Sequence, residues 1–312
     1  MVRALGSKRS LWVDVDRDPD DDAVLAQVAE SLDLEDVDLE RIGADLGRSR
    51  LTRTSDRLHL TLEALETEDD DKPGSGRRLG SGDRLVRREI DLVAAPDVIL
   101  TVHSGPVGAL ERFRAGLEGE TRLGVLTAGD PMSSLVDEVI VGYFQLAESI
   151  ERDIDSLDQR ALHGGRGDDV LTDIVALRRR IGFVRRTLAP HRESLSTLGL
   201  PEMQTTRTVG QPWPGLVDRL EAAMSALESS RDGLLGTFDI YMGRVSQRAN
   251  EVMRALTLLS AVLLPAVVLA GVMGMNFKMP FFDDAGNFWV ILAGMGGLAV
   301  LILSLARWRG WL

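Results

Sequence analysis

ALTLLSAVLLPAVVLAGVMGMNF (Ala255–Phe277) and, after ten intervening residues, FWVILAGMGGLAVLILSLA (Phe288–Ala306) carry no charged side chain. Each is long enough to cross a hydrocarbon core, which takes about 20 apolar residues in a helix. The loop between them opens on Gly274-Met275-Asn276, a tripeptide that places a polar amide at the outer turn of the pair. Arg244, Arg248 and Arg254 precede the first span, and Arg307 and Arg309 follow the second; the loop sets Lys278 against Asp283 and Asp284. The positive-inside rule therefore puts both termini in the cytoplasm and the loop outside, in a multi-pass protein. Phe288, Trp289, Trp308 and Trp311 stand where interfacial aromatics belong.

Outward from this pair the chain changes character. Of its 312 residues, 36 are Lys or Arg and 48 are Asp or Glu, a net charge of −12, and nearly all of these precede the spans. Such acidity disfavours nucleic acid as a partner. There is no cysteine, which removes disulfides and thiolate metal sites. The four histidines, His59, His103, His163 and His191, are too scattered for a zinc cage. The N-terminus is basic without a following apolar segment, so no signal peptide is read there.

The first 130 residues read as an α/β domain. Ser10–Val15 alternates as a strand, and Asp18-Pro19-Asp20 starts a helix running to about Leu32. A short helix is expected over Glu35–Leu46, and paired strands over Arg50–Thr54 and Arg57–Leu65, with Leu58, Leu60 and Leu62 on one face. Thr67–Asp83, acidic and then Gly/Ser-rich, reads as a flexible loop. Val86–Val93 and Val98–His103 are further strands, the latter buried and central, followed by a helix at Pro106–Gly116. Residues 131–213 read as an antiparallel helical hairpin, broken at His163-Gly164-Gly165. Arg178, Arg179, Arg180, Arg185 and Arg186 of its second helix are expected to face Glu148, Glu151, Asp153 and Asp155 of its first. Residues 214–277 read as one helix, roughly 95 Å long, serving as stalk and first transmembrane helix. An external loop (278–287), a second transmembrane helix (288–306) and a basic tail (307–312) complete the division.

Along the first span Asn250, Met253, Leu256, Ser260, Leu264, Val267 and Gly271 step by threes and fours into one stripe that leads to Asn276. A ring of such stripes would be a narrow, mostly apolar tube of the kind that gates by dewetting. Two spans cannot enclose a tube, so a pore requires an oligomer. Pro265 removes one backbone hydrogen bond and should bend the helix. Gly274 is also a helix C-cap signal. Gly294, Gly296 and Gly297 permit close helix contact in the second span.

The run Asn250-Glu251-Val252-Met253-Arg254-Ala255-Leu256-Thr257, then Pro265, Gly274-Met275-Asn276-Phe277 and Met279-Pro280, resembles the CorA family of magnesium and divalent-cation transporters; so does the tail Arg307-Trp308-Arg309-Gly310-Trp311-Leu312. The resemblance implies a funnel-shaped homopentamer in the lipid bilayer of the cytoplasmic (inner) membrane, its first spans lining the pore. It makes Gly274, Met275 and Asn276 the outer selectivity filter and sets Met253 and Leu256 near a hydrophobic gate. It also implies acidic residues that bind intracellular magnesium; Gly215 stands where such an acid is expected, leaving Asp218 as the candidate. Departures from the family pattern are Met273 where tyrosine is frequent, Val267 where threonine is, and Phe281-Phe282 ahead of Asp283 and Asp284. A zinc-transporting branch shares the architecture, and zinc, cobalt and nickel stay open beside magnesium as cargo. No cofactor beyond the cation is implied.

Two other classes compete. A membrane-tethered structural or signalling coiled coil would tolerate replacement of Gly274 and Asn276. An enzyme is not expected: no nucleophile–base constellation is present, and no GxxxxGK[ST] loop. The acidic runs Asp20-Asp21-Asp22 and Asp69-Asp70-Asp71 read as helix starts and solvated loops.

Overall fold

The computed structural model describes residues 2–5, 10–17, 23–32, 42, 47–54, 57–69, 83–95, 98–120, 131–163, 167–200, 213–275 and 285–311. They form two compact units, Met1–Phe238 and Asp239–Leu312.

The first unit is built on a six-stranded sheet of β1 (Val2–Leu5), β2 (Ser10–Asp16), β3 (Arg50–Thr54), β4 (Arg57–Asp69), β5 (Asp83–Ala95) and β6 (Val98–His103), in the order β1-β2-β6-β5-β4-β3. All neighbours are antiparallel except β2 and β6, whose register runs from Leu11↔Val98 to Asp16↔His103. β6 is thus an interior strand, and Ile99, Leu100 and Val102 on it are buried. Because side chains alternate across a strand, Val13, Val15, Val93, Leu100 and Val102 share one face and pack with Leu25 of α1 (Ala23–Ser31) and Ile42. Leu58, Leu60, Leu62, Ile90 and Leu92 fill the other face, each at 2% exposure or less. There Trp12 meets Phe113 of α2 (Gly108–Glu120) edge to face, ring centroids 5.0 Å apart.

Both faces are covered, so polar residues between the leucines of β4 are buried as well and need partners. His59 Nε2 and Thr61 Oγ1 each lie 2.9 Å from Asp91 Oδ1. On the opposite face Thr101 Oγ1 donates to Asp14 Oδ1 (2.6 Å), Arg114 Nη2 to Asp14 Oδ2 (2.7 Å) and Trp12 Nε1 to Thr101 Oγ1 (3.1 Å). Burial would raise the Asp14 pKa, but the close His103 ring (Nε2 to Oδ1 3.4 Å) and the bonds from Thr101 and Arg114 hold it below 3.8. Burial likewise opposes a charged His103; the Asp14 carboxylate, the Gly105 carbonyl and the Asp16 carboxylate outweigh this and raise its pKa above 6.5.

The strands outrun two expectations. β4 reaches Asp69 and β5 begins at Asp83, so Thr67–Asp69 belongs to the sheet rather than to a loop. The ladder continues because β5 lays Leu85 and Val86 opposite Thr67 and Glu66, and apolar strand formers on one partner extend pairing into an acidic run. The remainder of that loop, the helix expected at Glu35–Leu46 (save Ile42) and residues 18–22 lie outside the described residues.

Two long helices, α3 (Pro131–His163) and α4 (Gly167–Leu198), follow. Ile150, Ile154 and Leu157 of α3 and Ile174, Leu177, Ile181 and Val184 of α4 are buried at the helical period. Of the acids expected to face the α4 arginines, Asp153 does, at 2.9 Å from Arg180; Glu148, Glu151 and Asp155 are exposed. Arg185 turns to Glu228 of the next helix (3.2 Å), and Arg160 of α3 reaches Asp173 of α4 (2.6 Å). That next helix, α5, runs unbroken over Trp213–Met273 and passes from the first unit into the second. α6 covers Ala285–Trp308.

His191 of α4 ties helix to sheet and yields a pH prediction. Its Nδ1 lies 3.1 Å from Thr187 O and 3.2 Å from Leu188 O, while Nε2 accepts the Glu63 N–H at 3.0 Å. Carbonyls only accept and a backbone N–H only donates, so the ring is neutral with its proton on Nδ1. Full burial pushes its pKa down to about 4, against the opposing effect of the backbone bonds. The unfolded ring takes up its proton near pH 6.5. Stability from this residue is therefore complete above that pH and falls as pH drops toward 4, by up to roughly 3 kcal/mol. His191→Gln keeps an acceptor for the Glu63 N–H and should flatten that acid limb. Denaturant unfolding of the purified chain in detergent at pH 7 and pH 4.5 checks this; an unchanged limb would place the acid sensitivity elsewhere.

Candidate pore helix and its outer turn

The second unit holds two helices long and apolar enough to cross a membrane, the end of α5 and α6, and none of their apolar windows is buried within the chain. Both are rich in alanine and leucine, strong helix formers. A helix also satisfies its own backbone, which a lipid environment demands. α5 continues through Pro265.

At 100° per residue Asn250, Met253, Leu256, Ser260, Leu264, Val267 and Gly271 fall within an arc of about 120° on α5. All are exposed, Met253 at 61%, Leu264 at 67% and Val267 at 64%. Exposure does not single the arc out, because Val252, Leu259 and Leu269 are exposed too. Composition does: Asn250, Ser260 and Gly271 interrupt an apolar surface on this side. Thr257, at the edge of the arc, spends its hydroxyl on the Met253 carbonyl at 2.7 Å.

α5 ends at Met273, four residues before the Phe277 that the apolar run suggests. Gly274 N–H still donates to Ala270 O (2.9 Å), and Met275 N–H donates to Val272 O (3.2 Å), so the last turn tightens. The tightening uses bonds within the helix and not a left-handed residue. Gly274 is not among the glycines at positive φ, which among the described residues are Gly47, Gly105 and Gly310. The helix does stop at this glycine, as a C-cap signal predicts, but without the left-handed conformation that would demand glycine. A Cβ there would meet Ala270 O at 3.4 Å, an ordinary contact, so nothing in the described part of the single chain requires glycine. Gly274→Ala should leave the thermal unfolding midpoint unchanged or slightly raised, since alanine is the better helix former by about 1 kcal/mol; a clear drop would restore the cap role. Met275 is 54% exposed. Asn276, Asp283 and Asp284 lie outside the described residues.

Asp218 lies on the exposed side of α5 in the first unit, next to Arg219, which pairs with Asp137 of α3. Among the described residues of the chain no group of three or more His, Asp or Glu could hold a metal ion. The buried acids missed by sequence reading, Asp14, Glu63 and Asp91, face histidine and arginine partners. Their only sequence signal was alternation in strands covered on both sides.

The profile of CorA-like Mg2+ transporter proteins matches residues 7–307. The cobalt/magnesium transport protein CorA of Thermotoga maritima is 31% identical over 210 residues, 66% of this chain and 58% of that protein. The divalent cation transporter CmaX of Pseudomonas aeruginosa is 26% identical over 183 residues, 58% of this chain and 53% of its own length. The matched region thus spans a little over half of each relative. The solved structure of the CorA magnesium transporter from Methanocaldococcus jannaschii has a TM-score of 0.76 at 19% identity, covering 99% of this chain and 94% of that one. The shared fold is an N-terminal α/β region, long helices and two C-terminal candidate spans.

Proposed function

The chain belongs to the family of CorA-like Mg2+ transporter proteins, and we propose that it conducts divalent cations, magnesium foremost, down their electrochemical gradient through a homopentameric pore. The observation that carries this reading is the unbroken α5, which bears on its apolar end a single arc of small, polar and apolar residues. Five such arcs, from Asn250 to Gly271, would line the pore, with Met253 and Leu256 as its hydrophobic constriction. Gly274, Met275 and Asn276 would form the outer filter, with Asp283 and Asp284 in the external loop beside it. The domain division of 1–130, 131–213, 214–277, 278–287, 288–306 and 307–312 goes with this proposal, as does a cytoplasmic-membrane location with both termini inside.

The chemistry favours magnesium. It takes oxygen ligands and sheds water reluctantly. A ring of asparagine amides and main-chain carbonyls grips the hydrated ion through its water and lets it go, where carboxylates would hold it. A divalent ion gains about 4.6 kcal/mol per 100 mV of inside-negative potential, so no nucleotide is needed. Cobalt is the second reading, supported by the cobalt/magnesium description of the Thermotoga maritima relative and by Val267, which leaves the tube less polar. Competition of Co2+, Zn2+ and Ni2+ against Mg2+ uptake in proteoliposomes separates these. Preference for zinc over a large excess of magnesium would overturn the magnesium assignment.

Regulation follows from the acidic soluble unit. Since no described cluster in one chain cages a metal, intracellular magnesium would bind between neighbouring subunits and hold the pore shut, with Asp218 as a contributor. Protease resistance of α5 below the membrane should then rise with magnesium and rise less in Asp218→Asn. No change in either would count against this sensor.

A further inference from the structure

A cavity of about 260 Å³ lies in the first unit between β4, α2, α3 and α4. It is far from the candidate filter in sequence, and the proposed conduction does not use it. Its polar lining includes Glu66, Arg112, Gln145, Ser149 and Arg180, set among apolar walls such as Leu146. The volume is just below the usual range for small-molecule sites, about 300–1,000 Å³. It holds roughly eight groups the size of water at ~30 Å³ each.

Arg180 is the informative residue. Its Nη1 donates to Asp153 Oδ2 at 2.9 Å. Its Nε and Nη2 are buried and have no acceptor. These two N–H groups share one edge of the guanidinium and point in parallel, the fork that carboxylates and phosphates accept bidentately. Burial strengthens such a bond by excluding water, and Arg180 is among the residues that line the cavity. Arg112 contributes a second guanidinium, fixed by bonds from Nε to Glu138 Oε2 (3.0 Å) and from Nη2 to Glu138 O (2.7 Å). Two helical glycines make room for it: a Cβ on Gly108 or Gly142 would stand 3.3 Å from its terminal nitrogens.

The lining also carries a negative charge. Glu66 Oε1 accepts the Gly108 N–H at 2.8 Å, at the start of α2. With Asp153 and Glu138 already on the arginines, the site has little positive charge to spare and disfavours a bare inorganic anion that has no body to meet the walls. It suits one oxyanion head on a compact body, whose remaining surface would meet Gln145, Ser149 and the apolar wall. We infer that this cavity binds a small organic oxyanion, a monocarboxylate or phosphomonoester, through the Arg180 fork.

Isothermal titration of the purified full-length protein in detergent with lactate, glycerol 3-phosphate and inorganic phosphate tests this. At least one organic probe should bind saturably with a Kd of about 1 mM or tighter, and inorganic phosphate at least about tenfold more weakly. Arg180→Lys retains the charge and the reach to Asp153 but has no fork, and should weaken the organic probe by at least about tenfold. Ser149→Leu fills the cavity without touching the fork and should abolish binding in a protein that still unfolds cooperatively. Absence of saturable binding by both organic probes overturns the inference, as does binding that survives both substitutions unchanged. Tighter binding of inorganic phosphate than of the organic probes would overturn the organic assignment. None of these outcomes depends on cation uptake, so the two proposals fail separately.

Discussion

Asn276→Ala should cut magnesium uptake into proteoliposomes by at least about tenfold while leaving the assembled protein intact. In the proposed pentamer one substitution removes five amides from the same ring. Each amide–water hydrogen bond to the hydrated ion is worth about 1 kcal/mol net, and a tenfold change needs only about 1.4 kcal/mol. Loss of a fraction of the ring is therefore enough. The alanine adds no bulk and buries no charge, so the oligomer should elute unchanged on size exclusion. Equal uptake by wild type and variant would remove Asn276 from the filter, and with it the main distinction from a membrane-tethered coiled coil.

Leu256→Asn should act in the opposite direction. An apolar constriction blocks ions by shedding water, and a ring of amides at that level lets water in. Uptake measured with magnesium already inside the vesicles, the condition proposed to hold the pore shut, should rise by about tenfold or more, since removing about 1.4 kcal/mol of barrier suffices. Leu269→Asn is the control. It lies about 140° round the helix from Leu256, outside the arc that runs from Asn250 to Gly271. It should disturb membrane packing without producing a leak. Leak from both variants, or from neither, would contradict the assignment of that arc to the pore.

The parts of this fold written in local signals were readable from the chain. Two uncharged runs of about 20 residues announce candidate spans without any tertiary information, and the chain has two helices there that are long and apolar enough to cross a membrane. β6 could be read as an interior strand because Val98-Ile99-Leu100 is apolar on both faces, and it lies between β2 and β5. What depends on distant partners was not readable. Thr67–Asp69 looks like solvent-exposed loop until β5 is laid beside it. Arg185 has acids at hand on α3 yet pairs with Glu228, more than forty positions further along the chain. The end of α5 at Met273 and the ordinary φ of Gly274 are set by backbone bonds that composition does not encode. The Arg180 fork was visible in sequence only as one of several arginines. Its distinction is that α3, α4 and β4 enclose it and leave two of its donors unmet.

The central claim is that the chain alone carries divalent cations through a membrane. Magnesium uptake into liposomes holding only the purified protein, on imposing an inside-negative potential, tests it most directly. The account predicts uptake that grows with the imposed voltage, toward the roughly 4.6 kcal/mol per 100 mV available to a divalent ion, without added nucleotide. Uptake no greater than in protein-free liposomes, at every voltage, would contradict it.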